Sequence, residues 1–304
     1  MGLLPPHIHL LAMEKTKHPI NGDVLTLGQQ AVYATLEDVR NIIKSHKIVP
    51  KEPKQNFDTR NKIPGWIGTH CENYTNAQTV FTLLGARNVF VADYSPYENP
   101  DILIDLNNCV SDEYSEKFDV LLDGGTLEHI FDIPTALFNI VKMLKKDGEI
   151  ILILPASNAI DHGFYSFSPT LLYDFFSNNG FNNFSCYLRE VSSFNLNKKG
   201  KIYKYNHVGN QYVLTSKKSI EIIFFAKKYE DVKQMIKPMQ SLYTNALWSN
   251  KQEVNRSQKK EKRKVFKRLR AVLTPFLKEH RPELYDVIRL TKKRRQNLTF
   301  IGKF

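Results

Sequence analysis

The sequence predicts an α/β fold, a three-layer sandwich with helices on both faces of a mostly parallel sheet. Two observations carry this. Residues 118–155 (FDVLLDGGTLEHIFDIPTALFNIVKMLKKDGEIILILP) read as apolar strand, polar break, helix and second apolar strand, the unit from which parallel sheets are built. Short apolar runs of strand character also recur from about residue 23 to 226, seven in all, most of them closed by a polar or small residue. In open parallel sheets ligands bind beyond the carboxyl ends of strands, so those closing residues are the first place to look for chemistry.

Taken in order, residues 1–20 read as a short lead-in, and MGLLPPHIHLLAMEK, with two prolines and no leading basic residue, makes a poor signal peptide. Asp23 to Leu27 alternates as a strand and stops at Gly28-Gln29-Gln30. A helix is expected over 36–45, and residues 48–70, with three prolines and two glycines, form a long excursion of the kind used as a lid or binding loop. A helix over 76–85 ends on glycine. Strands 88–92 and 102–104 follow, closed by Asp93-Tyr94 and by Asp105-Leu106. In the central unit Val120–Leu122 breaks at Asp123-Gly124-Gly125. Ile133, Ala136, Leu137, Ile140, Val141 and Leu144 then recur at helical spacing, with Lys145 and Lys146 in the last turn, a stop at Asp147-Gly148 and a strand over 150–154. A loop through Asp161, His162 and Tyr165 leads to a Ser-Pro helix start and a helix over 170–178. Strands near 184–190 and 220–226 complete the set, with residues 194–216 projecting as a hairpin or arm.

Length and composition fit an ordinary globular chain: 304 residues, 42% hydrophobic and 24% charged. No apolar run reaches about 18 residues, so no membrane-spanning helix is expected. Cys71, Cys109 and Cys186 are widely spaced, which argues against a disulfide framework or a zinc site and for a reducing cytoplasm. The net charge of +12 is uneven: residues 251–304 hold 18 Lys plus Arg against 5 Asp plus Glu, leaving 25 basic and 26 acidic groups in the rest. Residues 1–228 therefore read as a charge-balanced main domain and 229–304 as a basic, helical C-terminal extension. In it Val265, Phe266, Leu269, Val272, Leu273, Phe276 and Leu277 lie at helical spacing among cations, with Pro275 a kink. A solvated charged face, a membrane-surface helix over 259–295, and nucleic-acid or protein binding are the open readings of this extension.

The strand ends present Gly28, Asp93, Asp105 and Asp123. A glycine after the first strand allows close backbone approach, and an acid after the second suits a ribose diol. The Gly-x-Gly-x-x-Gly fingerprint of pyrophosphate-binding loops is absent, which leaves an adenosine ligand without a pyrophosphate. On these residues the chain resembles the class I S-adenosylmethionine-dependent methyltransferases. VLTLGQQ is similar to their first glycine motif, with Gln29 and Gln30 where small residues are usual. Asp93 matches the ribose-holding acid, Asp105-Leu106 the pair beside the adenine, Asp123-Gly124-Gly125 the motif after the fourth strand, and KKDGEIILILP the fifth strand with its turn. GTLEHIFDIPTALFNI and DHGFYSFSPTLLYDFF look more specifically like methyltransferases of bacterial surface-glycan clusters. The resemblance, over about 20–226, implies a Rossmann-like three-layer sandwich with a seven-stranded, mostly parallel sheet. It also implies S-adenosylmethionine held by Gly28, Gln29, Gln30, Asp93, Tyr94, Asp105, Leu106, Asp123, Gly124 and Gly125.

Methyl transfer to a glycan or nucleotide-sugar oxygen needs alignment and a base, for which a neutral histidine oriented by a carboxylate is suited. His129 with Glu128, and His162 with Asp161, are the candidates, His129 ahead, with Tyr165 lining the acceptor site. Plainer readings stand beside these: Asp123 as a turn cap, the histidines as locally bonded structural groups, and the aromatics of 164–176 as core. No metal is expected, since the histidine and acid clusters after the fourth and fifth strands carry no tight His-x-His or Cys-x-x-Cys spacing. A small-molecule or glycan acceptor, a cytoplasmic location and a tail tethered at the inner membrane face complete the expectation. The rivals are a cofactor-binding protein without catalysis, prompted by Gln29-Gln30, and a nucleic-acid methyltransferase, prompted by the tail.

Overall fold

A computed structural model describes residues 2–52, 74–191, 200–207, 214, 216–232, 234–241 and 298–303. The predicted lid within 48–70 falls mostly outside this set, as do the tip of the 194–216 arm and the amphipathic segments of the tail. The chain runs β1 (Gly2–Leu3), α1 (Pro5–Glu14), β2 (Gly22–Leu27), β3 (Ala31–Val32), α2 (Leu36–Ser45), α3 (Ala77–Leu84), β4 (Ala86–Asp93), β5 (Ile102–Leu103), β6 (Phe118–Asp123), α4 (Ile133–Met143), β7 (Leu144–Ser157), α5 (Pro169–Asn178), β8 (Phe181–Val191), β9 (Lys201–Tyr205), β10 (Ser219–Lys228) and β11 (Leu298–Lys303).

The α/β, Rossmann-like class is as expected, but the sheet is larger and more mixed than seven mostly parallel strands. It has nine strands in the order β11-β9-β8-β10-β7-β6-β2-β4-β5. The five from β7 to β5 pair in parallel, and the β7–β10, β10–β8, β8–β9 and β9–β11 pairs are antiparallel. The two strands beyond expectation lie where the sequence suggested other things: β9 inside the 194–216 arm, and β11 at the end of the basic extension. β1 and β3 form a separate parallel pair.

Strand alternation builds the layers. Leu25, Leu27, Leu121, Ile150, Leu152 and Phe224 face one core with α4 and α5, while Val24, Val120, Leu122, Ile151, Ile153 and Phe225 face the other with α1, α2 and α3. Residues 1–20, read as a lead-in, contain the helix α1. It begins on Pro5-Pro6, where the missing N–H groups cost nothing, and Leu4 N–H donates to His7 Nδ1 at 3.2 Å. Ile8, Leu10 and Leu11 are fully buried. Helix α2 starts at a capping box in which Thr35 accepts from Asp38 N–H and Asp38 accepts from Thr35 N–H. Lys145, Lys146, Asp147 and Gly148 do not end a helix. They form a bulge inside β7, between the pairs Phe118–Leu144 and Val120–Glu149, where Asp147 has φ 65°.

From β2 the chain winds outward through β4 to β5, then returns to β6 and winds the other way to β7. The strand order therefore reverses between β2 and β6, and the crevice above Leu27 and Asp123 is the topological switch point.

Candidate active site

The carboxyl ends of β2, β4, β5 and β6 surround a cavity of about 410 Å³, in the range of small-molecule sites. Gly28, Ala92, Asp93, Tyr94, Ile104, Asp105, Leu106, Asn107, Thr126, His129 and Ile130 line it. Gly28 turns the chain off β2 with φ +74°, a left-handed conformation that favours glycine, and its N–H donates to Ala92 O at 2.7 Å. Asp93 Oδ1 accepts from Ser95 N–H at 2.9 Å, and Oδ2 lies on the Gly28 side of the cavity. Leu106 is buried and Ile104 and Ile130 half-buried, giving an apolar wall.

The loop after β5 is braced from below. Asn139, fully buried on α4, accepts from Val110 N–H at 3.0 Å and donates to Asn108 O at 2.8 Å and Leu106 O at 3.3 Å. Asp105 accepts from Asn107 N–H and from the side chains of Asn107 and Asn108, and these donors hold its carboxyl below the usual carboxylate range. Asn107 Oδ1 in turn accepts from Phe131 N–H and Asp132 N–H, tying this loop to the one after β6.

Five of the ten predicted cofactor residues, Gly28, Asp93, Tyr94, Asp105 and Leu106, meet at this cavity; Gln29, Gln30, Asp123, Gly124 and Gly125 are not in its lining. Asp123 is fully buried and accepts from Gly125, Thr126 and Leu127 N–H at 3.1, 2.8 and 3.2 Å, so its carboxylate caps the 3-10 turn Leu127–His129. Burial, and then neighbouring Glu128, push its pKa up to about 7 against those donors. Gln30 is buried as well, donating to Leu27 O at 2.7 Å, with its carboxamide against Gly124.

The catalytic candidates gather at one edge. His129 lines the cavity. The loop after β7 folds back onto Glu128, where Phe164 N–H donates to Glu128 O at 2.7 Å, and this carries His162 to His129 with ring centroids 5.4 Å apart. The carboxylate His162 meets is Glu128, at 3.4 Å; the sequence-adjacent Asp161 is exposed, with φ 61°. Burial, and then His162, lower the pKa of His129, which keeps its imidazole neutral and able to accept a proton. Burial raises the pKa of Glu128. Tyr165 OH donates to Phe131 O at 2.8 Å, and the exposed Phe131 and Phe164 pack edge-to-face beside it.

Sequence reasoning missed Ala92, Ile104, Asn107, Thr126 and Ile130. Asn107 was marked by the Asp-Leu-Asn-Asn run, where asparagines fold back on an acid, and Thr126 by its place after Gly-Gly at a strand end. Thr126 Oγ1–H donates to Leu27 O at 2.8 Å and fastens the two sides of the switch point.

No protein-family model matches the chain, and no curated protein matches it. Solved structures that align with it include an S-adenosylmethionine-dependent methyltransferase from Thermotoga maritima (15% identity over 72% of this chain and 89% of that one, TM-score 0.36). Another is the 1,6-didemethyltoxoflavin-N1-methyltransferase of Burkholderia thailandensis, crystallised with S-adenosylhomocysteine (13%, 74% and 78%, 0.35). A third is the CurJ carbon methyltransferase (11% identity over 71% of this chain, TM-score 0.35), of whose length the chain spans about half, 51%. The α/β, Rossmann-like fold class rests on the strand order and the switch-point cleft.

Proposed function

We propose that the protein is an S-adenosylmethionine-dependent O-methyltransferase acting on a glycan, nucleotide sugar or related surface-polysaccharide precursor. The observation that carries this is one cavity at the switch point whose wall combines the Asp93 carboxylate, an apolar face of Ile104, Leu106 and Ile130, and a histidine at its rim. The residues fit the cofactor. Asp93 has an oxygen not engaged by Ser95 for a ribose diol, and the apolar face suits an adenine ring. When bound, S-adenosylmethionine supplies a methyl group already activated on a sulfonium. The protein then has to align an acceptor hydroxyl and take its proton. His129, neutral and half-exposed beside the cavity, is the base, with Glu128 behind the histidine pair and His162 as the second candidate. Phe131, Phe164 and Tyr165 present an aromatic surface of the kind sugars stack on. The basic extension would hold the protein at an acidic membrane face, where lipid-linked acceptors lie.

One observation favours a second reading, a binding protein without catalysis: Gln30 fills the volume against Gly124 that small residues would leave open. Calorimetry with S-adenosylmethionine, mass spectrometry for a co-purified nucleoside and a methyl-transfer assay on glycan acceptors separate the two. Asp93→Ala is expected to lose the nucleoside, and His129→Ala to keep it while turnover falls about 100-fold or more. Tight nucleoside binding with no transfer to any glycan would favour the second reading. An Asp93→Ala variant that binds like wild type would overturn both.

A further inference from the structure

Glu128, His129 and His162 make an arrangement that histidine-base chemistry does not require. One donor atom from each, an imidazole nitrogen of His129, one of His162 and a Glu128 carboxylate oxygen, lies within 4.8 Å of the others. Glu128 Oε1 is 3.4 Å from His162 Nε2 and 4.0 Å from His129 Nε2. Around a zinc-like ion with bonds of about 2.0–2.2 Å, tetrahedral donors stand about 3.3–3.6 Å apart, so the trio is within a small side-chain movement of closing on one.

A second observation points the same way. Glu128 is 0% exposed, yet among the described residues neither of its carboxylate oxygens accepts a hydrogen bond from another residue, and the buried His162 Nε2 has no hydrogen-bond partner there either. Orphaned groups of this kind are costly unless something fills the space between them. The backbone is shaped to create the arrangement: Gly163 has φ +83°, and a Cβ there would lie 2.6 Å from Glu128 O, so only glycine lets the loop after β7 come close enough to deliver His162.

We infer that Glu128, His129 and His162 bind one divalent transition-metal ion of the zinc type, held by two imidazoles and a carboxylate with a coordination position open to the acceptor. Two nitrogen donors select such ions over magnesium or calcium, whose preferred ligands are oxygen. The side chains of His129 and His162 are 50% and 42% exposed, and His129 lines the cavity, so the open position is reachable from solvent at the cavity rim. An acceptor hydroxyl reaching it would become more acidic and give its proton to solvent water at this exposed rim; with the ion bound, His129 would serve as a ligand in place of the base role it has in the metal-free site. The inference goes beyond the methyl-transfer reading and stands or falls separately from it.

The full-length protein, stripped with chelator, is titrated with Zn²⁺ by calorimetry and with Co²⁺ by visible absorption, which reports tetrahedral nitrogen and oxygen ligation. One ion per chain is expected. Glu128→Gln and His162→Ala should each weaken binding by about 100-fold or more, beyond the loss typical of an outer-shell change. His162 sits on a surface loop, so its variant keeps the test informative if Glu128→Gln misfolds. His46→Ala is the control, since His46 and His9 form another close imidazole pair at 3.1 Å. No stoichiometric ion in the wild type, or an affinity that follows His46 and ignores His162, overturns the inference. Asp93→Ala should keep the ion while losing the nucleoside. Nucleoside bound without an ion would sink this proposal alone, and an ion bound without nucleoside would sink the methyl-transfer reading alone.

Discussion

Gln30 and Gly124 share one small volume at the switch point. A Cβ on Gly124 would lie 2.1 Å from Gln30 Oε1, while Gln30 Nε2–H is engaged with Leu27 O at 2.7 Å, so the carboxamide cannot swing away without losing that bond. Gly124→Ala should therefore cost about 1–3 kcal/mol, the penalty for breaking a buried polar contact. Gln30→Ala should be milder, because Leu27 O keeps the Thr126 hydroxyl as a donor. The double variant should recover part of the loss, a coupling of about 1–2 kcal/mol read from urea unfolding. Strict additivity would show that the two side chains do not compete for this space. The sequence shows Gln30 as a departure from small residues, but where its carboxamide goes depends on a loop nearly a hundred positions away. The place of Asp93 in the cavity wall was legible because an acid closing a strand points into the crevice whatever follows. Asp123 was not, because the same rule holds equally for a carboxylate that turns back to cap its own turn.

Helix α2, with its periodic apolar face, was read to the residue at Leu36–Ser45, whereas α4 stops at Met143, short of the lysines expected in its last turn. Helix α1 was hidden because prolines open it and both histidines interrupt an otherwise apolar run, leaving no polar face to betray its period. Its place is fixed by buried polar contacts. His7 Nε2 meets Glu221 Oε1 on β10 at 2.7 Å, Arg189 on β8 donates to the same oxygen, and Glu14 accepts from Ser185 and Tyr187 hydroxyls on β8. Burial alone would raise the pKa of Glu221, but the charges and hydrogen bonds of His7 and Arg189 outweigh it and bring it down to about 2. A carboxylate depressed in the fold stabilises fully above its unfolded value, and that stability drains away as pH falls from there towards the folded value. Unfolding midpoints should therefore fall on acidification from about pH 4.5 towards pH 2. Glu221→Gln should flatten that part of the profile and cost about 3–5 kcal/mol at neutral pH, where Arg189 is left buried with no carboxylate. An unchanged acid limb would mean that the α1–β10 contact is not what acid breaks.

The basic extension read as one thing, a charged helical tail, and it ends as another. Its last described residues form β11, antiparallel to β9, with Leu298 opposite Tyr205 and Lys303 opposite Lys201. The run LTFIGKF was too short, and too close to a cluster of arginines, for its alternation to stand out; its strand character comes from the β9 edge it covers. Charge and edge protection are thus separate properties of one segment and can be separated experimentally. Deleting residues 298–304 exposes the β9 edge, including the backbone flanking buried Ile202 and Tyr203, and open edges recruit other chains. That variant should associate with rising concentration in light scattering while keeping any salt-sensitive binding to anionic vesicles. Replacing Lys259, Lys260, Lys262, Arg263 and Lys264 by Gln should do the reverse. It should stay dispersed and weaken vesicle binding, by about 1 kcal/mol per charge near the surface, with most of the difference gone at high salt. A simple truncation from residue 251 removes both properties at once and would confuse aggregation with lost attachment. If the 298–304 deletion stays dispersed at all concentrations, β11 does not guard the edge, and the sheet ends functionally at β9.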